Sequence, residues 1–252
     1  MKDFKIKTIW TNEITTVEIE DFRNVVNTVF GNFCTKDYFR VKYLENIYGP
    51  SYIIMVYLDG KPIGATSLWR NDIDGKEAYQ NAETCVIKSS NSNGVFAVLT
   101  MTKSKFISQK EGSPIYSFPN RNSFPGYKKL KWNIRWNRKV IFIPGISSNS
   151  QLQHIDGDYA LWWLIRRRHI SYIKRFGHYY LVKPLQKKYA GRILGIVDKE
   201  TALHFQKSEN KYIFLFYDSY KETFYNRRMW AFPLVYCNVI DVRVPYWKHD
   251  AL

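Results

Sequence analysis

A clear hairpin pattern, two segments joined by Asp59-Gly60, constrains this chain more than any other feature. Tyr52–Leu58 and Pro62–Trp69 are each long enough for a strand. Asp-Gly supplies the two-residue turn whose twist matches the strands it connects, so the pair is antiparallel. Before it, Phe4–Trp10 alternates apolar residues with Lys and Thr and predicts a strand. Thr15 or Thr16 can cap a helix running to about Phe30, with Val17, Phe22, Val25, Val26 and Val29 near helical spacing and Gly31 as its stop. Asp37–Asn46 reads as a second, short helix. After the hairpin, Asn71–Lys76 is a turn, Glu77–Ile87 a strand, Gly94–Ser108 a helix and Ile115–Phe118 a short strand. Asn120–Tyr127 follows, and Trp132–Asn137 and Lys139–Ile143 alternate as strands. The order over 1–143 is strand, helix, helix, three strands, helix, strand, helix, strand.

Pro144–Asp158 is polar and rich in Gly, Ser, Asn and Gln, the composition of a linker or lid. Beyond it a helical segment, Tyr159–Arg168, precedes hairpin-like strands at Gly177–Pro184 and Gly191–Asp198. This echoes Asp37–Leu44 preceding Tyr52–Leu58 and Pro62–Trp69. Lys199–Lys207 predicts a helix, and Tyr212–Phe216 and Leu234–Val244 predict strands.

Two segments carry chemistry. Ser117-Phe118-Pro119-Asn120-Arg121-Asn122-Ser123-Phe124-Pro125-Gly126-Tyr127, followed by Lys131-Trp132, places a Tyr seven residues after an Asn. Upstream, Val86-Ile87-Lys88-Ser89-Ser90-Asn91-Ser92-Asn93-Gly94-Val95-Phe96-Ala97-Val98-Leu99 puts turn-forming residues before a helix start. A helix opening near Gly94 aims free N–H groups and its positive dipole end at an anion.

The first segment resembles the N-x6-Y-x3-G-F end of the acetyl-coenzyme A site in GNAT acyltransferases. The second resembles that family's pyrophosphate loop, V-x-P-x-x-[RQ]-G-x-G-[IV]-[GA]-x-x-L. Val86, Gly94, Val95 and Leu99 fall in register, while Lys88, Asn91, Ser92 and Phe96 stand where the family has Pro, Arg or Gln, Gly and a small residue. The element order is also that of GNAT proteins. The resemblance covers roughly 1–143. It implies an α/β (α+β) fold with a mixed, mostly antiparallel central sheet flanked by helices. Residues 1–143 would form the acyl-CoA-binding domain and 144–158 a linker or lid. Residues 159–252 would form a degenerate GNAT-like half that shapes an acceptor cleft and, lacking a second pyrophosphate loop, binds no coenzyme.

The same resemblance assigns roles. Tyr127 is the expected general acid toward the coenzyme thiolate. Glu83, on the fourth strand, is the expected base, acting directly or through water. Alternation puts Glu83, Cys85 and Ile87 on one face, and apolar neighbours would raise the carboxyl pKa. Backbone groups of Cys85, Val86 and Ile87 would hold the pantetheine arm, and Asn91, Ser92, Asn93, Gly94, Val95 and Phe96 the diphosphate, with Asn120 beside the thioester. Cys85 has no His or Asn partner in the sequence and reads as a small buried hydrophobe. His154 and His169 are weaker candidate bases, and Arg166-Arg167-Arg168 could grip a diphosphate or end a solvated helix.

Charge placement adds the acceptor's chemistry. Of a formal +16, residues up to 120 contribute +1 (14 Lys and Arg against 13 Asp and Glu) and the rest +15 (24 against 9). Residues 121–192 hold 16 basic side chains against Asp156 and Asp158. Such a field draws anions. The motif F-P-N-x-N-S-x-P-G-[FY]-x-K-L-x-W is also similar to GNAT-like proteins of surface-polysaccharide biosynthesis. The expectation is therefore an acyl-CoA-dependent N-acyltransferase that takes acetyl-CoA or another acyl-CoA and acts directly on an amine. The acceptor would be a nucleotide- or lipid-linked amino sugar. Two alternatives stay open. One is a FemX-like transferase drawing on aminoacyl-tRNA, the one case in which nucleic acid is expected; the other is a silent GNAT-fold binding protein. Cys34, Cys85 and Cys237 form neither a metal spacing nor a disulfide framework, so no metal is expected and the compartment reads as reducing. No apolar run reaches the length of a membrane span and the start lacks a signal-peptide stretch, giving an expected cytoplasmic location with peripheral contact to an anionic inner membrane face.

Overall fold

The computed structural model describes residues 4–88, 94–141, 152–167, 169–186, 189–219, 231–239, 241, 243–245 and 248. The chain forms two compact units: unit 1 comprises 1–117, 129–133 and 236–242, and unit 2 comprises 118–128, 134–235 and 243–252. The division falls first at Ser117/Phe118, and the chain passes back to unit 1 twice.

Unit 1 opens with β1 (Lys5–Trp10) and helix α1 (Thr16–Phe30). Thr15 caps α1 in a reciprocal box: its hydroxyl accepts from the Glu18 N–H and the Glu18 carboxylate accepts from the Thr15 N–H at 2.7 Å. Gly31 ends it. Phe22, Val25 and Val26 are buried as their spacing predicts, whereas Val17 and Val29, also expected on that stripe, are exposed. The second helical segment is α2 (Lys36–Phe39) running into a π-helical turn, Arg40–Leu44. Strands β2 (Tyr52–Leu58), β3 (Lys61–Arg70) and β4 (Tyr79–Val86) form an antiparallel meander, with Leu58 opposite Lys61 across Asp59-Gly60. Helix α3 (Val95–Gln109) leads to β5 (Ile115–Ser117), which pairs parallel with β4. The strand order is β1-β2-β3-β4-β5.

Unit 2 holds α4 (Phe124–Lys129, its last residue in unit 1), most of β6 (Asn133–Ile141), α5 (Gly157–Trp162), a 3-10 turn (Leu164–Arg166), β7 (Ser171–Arg175), β8 (His178–Pro184), β9 (Ala190–Val197), α6 (Lys199–Leu203), β10 (Phe214–Ser219) and the first part of β11 (Ala231–Cys237). The order is β11-β6-β10-β9-β8-β7. Several expectations change here. Trp132–Asn137 and Lys139–Ile143 are one strand through Ile141. The helix at 199 stops at Leu203. An extra strand, β7, turns into β8 through Phe176-Gly177, with Arg175 opposite His178. The expected linker lies outside the described residues up to 151, and its remainder is not a lid. Gln153–Ile155 pairs parallel with β9, with the Ile155 N–H donating to the Ile196 carbonyl at 2.8 Å and the Ile196 N–H to the Gln153 carbonyl at 3.1 Å.

The two units repeat one connectivity: helical turn, three antiparallel strands, helix, then a strand parallel to the third. The third strand of each carries a bulge. In β4, Ala82 faces Ser67 and Cys85 faces Ala65, so Glu83 and Thr84 share one partner. In β9, Ile193 faces Val182 and Gly195 faces Leu181, leaving Leu194 as the extra residue.

Candidate active site

The β4 bulge organises unit 1. Glu83 adopts φ of 42°, a conformation costly for a side chain of its size, of order 1–3 kcal/mol. Its carboxylate turns toward α2 and the π turn, where four donors meet it. The Tyr38 hydroxyl donates at 3.0 Å and the Ser67 hydroxyl at 2.8 Å; the Tyr43 hydroxyl and the Lys42 ammonium also donate, the latter as an ion pair. Lys42 is fully buried, and its ammonium also donates to the Tyr38 hydroxyl at 3.1 Å. The π turn matters here, because its i→i+5 bond, from the Glu45 N–H to the Arg40 carbonyl, adds a residue to the turn, and Lys42 and Tyr43 both reach Glu83 from it. A carboxylate offers about four lone-pair sites. With four donors in place, direct contact with an acceptor amine is closed, which corrects the expectation of a carboxylate among apolar strand neighbours. Glu83 and Cys85 do share a face, as expected. Burial, then the nearby Glu83, pushes the Cys85 thiol up to about 12, so it stays protonated and is no nucleophile.

The edge of β4 away from β3 is open where the bulge lies. Pairing with β5 ends at Gln80–Tyr116, and the Ser117 hydroxyl donates to the Asn81 carbonyl at 3.2 Å as the strands part. Among the described residues no strand pairs with Ala82–Val86 on that edge. The Ile87 N–H is used by the Ile63 carbonyl at 2.9 Å, so it is not free for a ligand. By alternation the N–H and carbonyl of Val86 point to the open edge. Its side chain packs with Ile54, Val56, Val95 and Leu99.

Helix α3 begins beside this edge. Gly94 is its N-cap, in a left-handed conformation and with no side-chain cap bond. The start of α3 lies so close to β3 that a Cβ on Gly64 would sit 2.5 Å from Val95 Cγ1 and 3.4 Å from Leu99 Cδ1. Val95 is buried and Phe96 is 55% exposed, so the Phe ring leaves the helix start uncovered from within. Asn91, Ser92 and Asn93 lie outside the described residues.

Asn120 and Tyr127 belong to unit 2. Asn120 caps the turn into α4: its side-chain oxygen accepts from the Asn122 and Ser123 N–H groups, each at 3.0 Å, and from the Ser123 hydroxyl at 3.1 Å. Tyr127, on the second turn of the segment so fixed, is buried. Arg166 bonds the Leu161 and Trp162 carbonyls at the end of α5, and the Arg167 guanidinium stacks 4.2 Å from the Trp163 ring. Among the described residues no cluster of three or more His, Cys, Asp or Glu could hold a metal, and no helix is long and apolar enough to cross a membrane.

The equivalent region of unit 2 is closed. β10 pairs with β9 only as far as Arg192, and the edge at Ile196, the counterpart of Val86, is taken by Gln153–Ile155. A Cβ on Gly195 would lie 2.6 Å from Ile155 Cγ1 and 2.7 Å from the Gln153 carbonyl. The start of α6 is capped by Asp198, whose carboxylate accepts from the Thr201 N–H at 2.8 Å.

Missing from the residues read off the sequence were Tyr38, Lys42, Tyr43 and Ser67. A Lys between Val41 and Tyr43 in a segment expected to be helical was the one available signal.

Solved structures that match almost the whole chain include the following two. A conserved protein of unknown function from Enterococcus faecalis V583, a probable N-acyltransferase, superposes with a TM-score of 0.54 and 11% identity, over 93% of this chain and 72% of that one. A GCN5-related N-acetyltransferase from Kribbella flavida gives 0.52 and 10%, over 92% and 71%. At such identities the likeness is one of fold, and the fold is that of GNAT proteins. No family model matches the sequence, and no curated protein is significantly similar to it.

Proposed function

We propose that this chain is an acyl-CoA-dependent N-acyltransferase that moves an acetyl or other acyl group directly onto an amine. The observation that carries the reading is the β4 edge, which parts from β5 at Asn81 and, among the described residues, is unpaired beyond it, beside an α3 start that no described side chain caps. An extended pantetheine arm needs a free strand edge, and a diphosphate needs unshielded helix N–H groups. Acyl-CoA, when bound, supplies the activated thioester carbonyl.

The chain's own residues do the rest. The Val86 N–H and carbonyl align the arm. Cys85 fills the opposite face, and the N–H groups at the start of α3, from Val95 and Phe96 on, meet the diphosphate. The acceptor amine loses its proton to the Tyr38 hydroxyl as that hydroxyl passes its own to Glu83. Tyr38 is half-buried and already donates to the carboxylate, so the route needs no free lone pair on Glu83. The amine nitrogen bonds to the acyl carbon, the C–S bond breaks, and the thiolate takes a proton. Tyr127 is the proposed donor of that proton, on the motif it belongs to. Asn120 serves by fixing the turn before it. The 16 basic residues of 121–192 and the similarity around 118–132 support an amino sugar carried on a nucleotide or lipid diphosphate as the acceptor.

Calorimetric titration of acetyl-CoA and free coenzyme A at two salt concentrations tests the donor, and acyl transfer to nucleotide-linked amino sugars tests the acceptor. Binding is expected for both ligands. Tyr127→Phe is expected to keep that binding and lose turnover by about 10²-fold. Absence of binding by either ligand would end the reading. Aminoacyl-tRNA would then be titrated, because the repeated connectivity of the two units also fits the FemX-like alternative.

A further inference from the structure

The buried stripe of α3 is Val95, Leu99, Lys103 and Phe106. Three of these are apolar, as a helix seated on a sheet requires. Val95 and Leu99 join Ile54 and Val56 in one cluster; Phe106 joins Leu68, Tyr79 and Ile115 in another. Between the clusters lies a polar layer. The Lys103 ammonium donates to Asn81 Oδ1 at 3.2 Å and Thr84 Oγ1 at 3.4 Å. The Thr66 hydroxyl donates to Asn81 Oδ1 at 3.2 Å and lies 2.7 Å from the Thr84 hydroxyl. Lys103 is 9% exposed and has no carboxylate partner among the described residues.

A buried cation without a counter-ion opposes folding, and Leu or Met would fill the same position. The layer stands where β4 leaves β5: Asn81 is the last β4 residue tied to β5, and Thr84 belongs to the bulge. We propose that Lys103 is a positioning residue of the acyl-transfer site, fixing the open edge of β4 through Asn81 and Thr84 and supplying positive potential where the coenzyme thiolate departs. The inference rests on the reading of the open edge as the coenzyme's seat.

Among the described residues no other charged group perturbs the ammonium. β2 and β4 present Tyr52 and Tyr79 to this face, both packed on Phe106. β3 presents Thr66 and Leu68, while Glu83 and Cys85 turn to the other face. Burial alone lowers the Lys103 pKa to about 8, so its charge falls away in mildly alkaline solution.

The test is the ultraviolet titration of the thiol of bound coenzyme A in the parent and in Lys103→Met, with melting temperature and acyl-CoA affinity measured alongside. Below about pH 8, where Lys103 keeps its proton, the thiolate is expected to be about tenfold more populated in the parent than in the variant, and the two titrations should converge above it. Lys103→Met is expected to melt no lower than the parent and to bind acetyl-CoA within about threefold, while kcat falls about tenfold and loses its dependence on pH near 8. Lys103→Gln carries the same readouts should the Met variant fail to fold. Equal thiol titration in parent and variant would overturn the role of Lys103 alone. Failure of the parent to bind coenzyme A would overturn it together with the acyltransferase reading.

Discussion

β4 and β9 are third strands of the same repeated unit, and they differ where a ligand would bind. β4 reads Tyr79-Gln80-Asn81-Ala82-Glu83-Thr84-Cys85-Val86 and carries its bulge on a buried carboxylate. β9 reads Ala190-Gly191-Arg192-Ile193-Leu194-Gly195-Ile196-Val197 and carries its bulge on a leucine. Beyond the last pair with the following strand, no described residue pairs with the β4 edge, whereas β9 pairs with Gln153–Ile155 of its own chain. Among the described residues helix α3 starts without a side-chain cap, and α6 starts on the Asp198 carboxylate, which already occupies the position an anion would take. Under the proposed function one unit receives the ligand; the other satisfies the equivalent groups internally. The bulge and splay therefore belong to the fold, and receptivity depends on which residues and segments lie against them.

The contrast can be broken most forcefully at the bulge. Lys42→Met alone leaves Glu83 buried without its cation and is expected to cost about 3–5 kcal/mol in urea unfolding. Adding Glu83→Leu should restore much of that loss while acyl transfer stays absent. A double variant as unstable as the single one would mean that the network holds the bulge itself. Gly64→Val and Gly195→Val come next, each forcing a side chain into occupied space at about 1–3 kcal/mol. Only Gly64→Val should weaken acetyl-CoA binding by calorimetry. Weakening by Gly195→Val as well would contradict the separate roles of the two edges.

A smaller effect follows from pH. Lys103 is held near 8 in the folded chain against an ordinary 10.5. Between these values the unfolded chain holds the proton that the folded chain has lost, so parent stability should rise with pH relative to Lys103→Met. A flat difference across that window would place the amine in a wetter setting. The smallest effect is expected from Asp198→Ala, about 1 kcal/mol for a lost cap with coenzyme binding unchanged. The Thr201 N–H holds the Asp198 carboxyl below its usual range. The cap's contribution is thus present above the ordinary carboxylate pKa and lost as pH falls through the lowered folded value, and acid titration of melting temperature in parent and variant would show it.

Local rules made much of unit 1 legible. Thr15 and Gly31 bounded α1 because capping and chain reversal involve neighbours in sequence, and Asp59-Gly60 gave the hairpin for the same reason. β7 was missed because its turn, Phe176-Gly177, puts a bulky residue at φ of 50° where Asn or Asp would have announced it. Glu83 was singled out as a functional carboxylate, but its surroundings were not, since Lys42 lies 41 residues away and meets it only when the π turn packs on β4.

By itself the sequence determined the order of elements in unit 1, the strand that carries Glu83 and Cys85, and the helix that starts after Gly94. Each depends on periodicity, turn chemistry or motif spacing, which act over a few residues. Tertiary structure alone decided that Glu83 is enclosed by four donors, that Lys103 bridges two apolar clusters, and that one β edge is open while its counterpart is filled by Gln153–Ile155. Those outcomes depend on which distant segments compete for the same hydrogen-bonding edge and the same buried volume, and that competition is settled only when the chain packs.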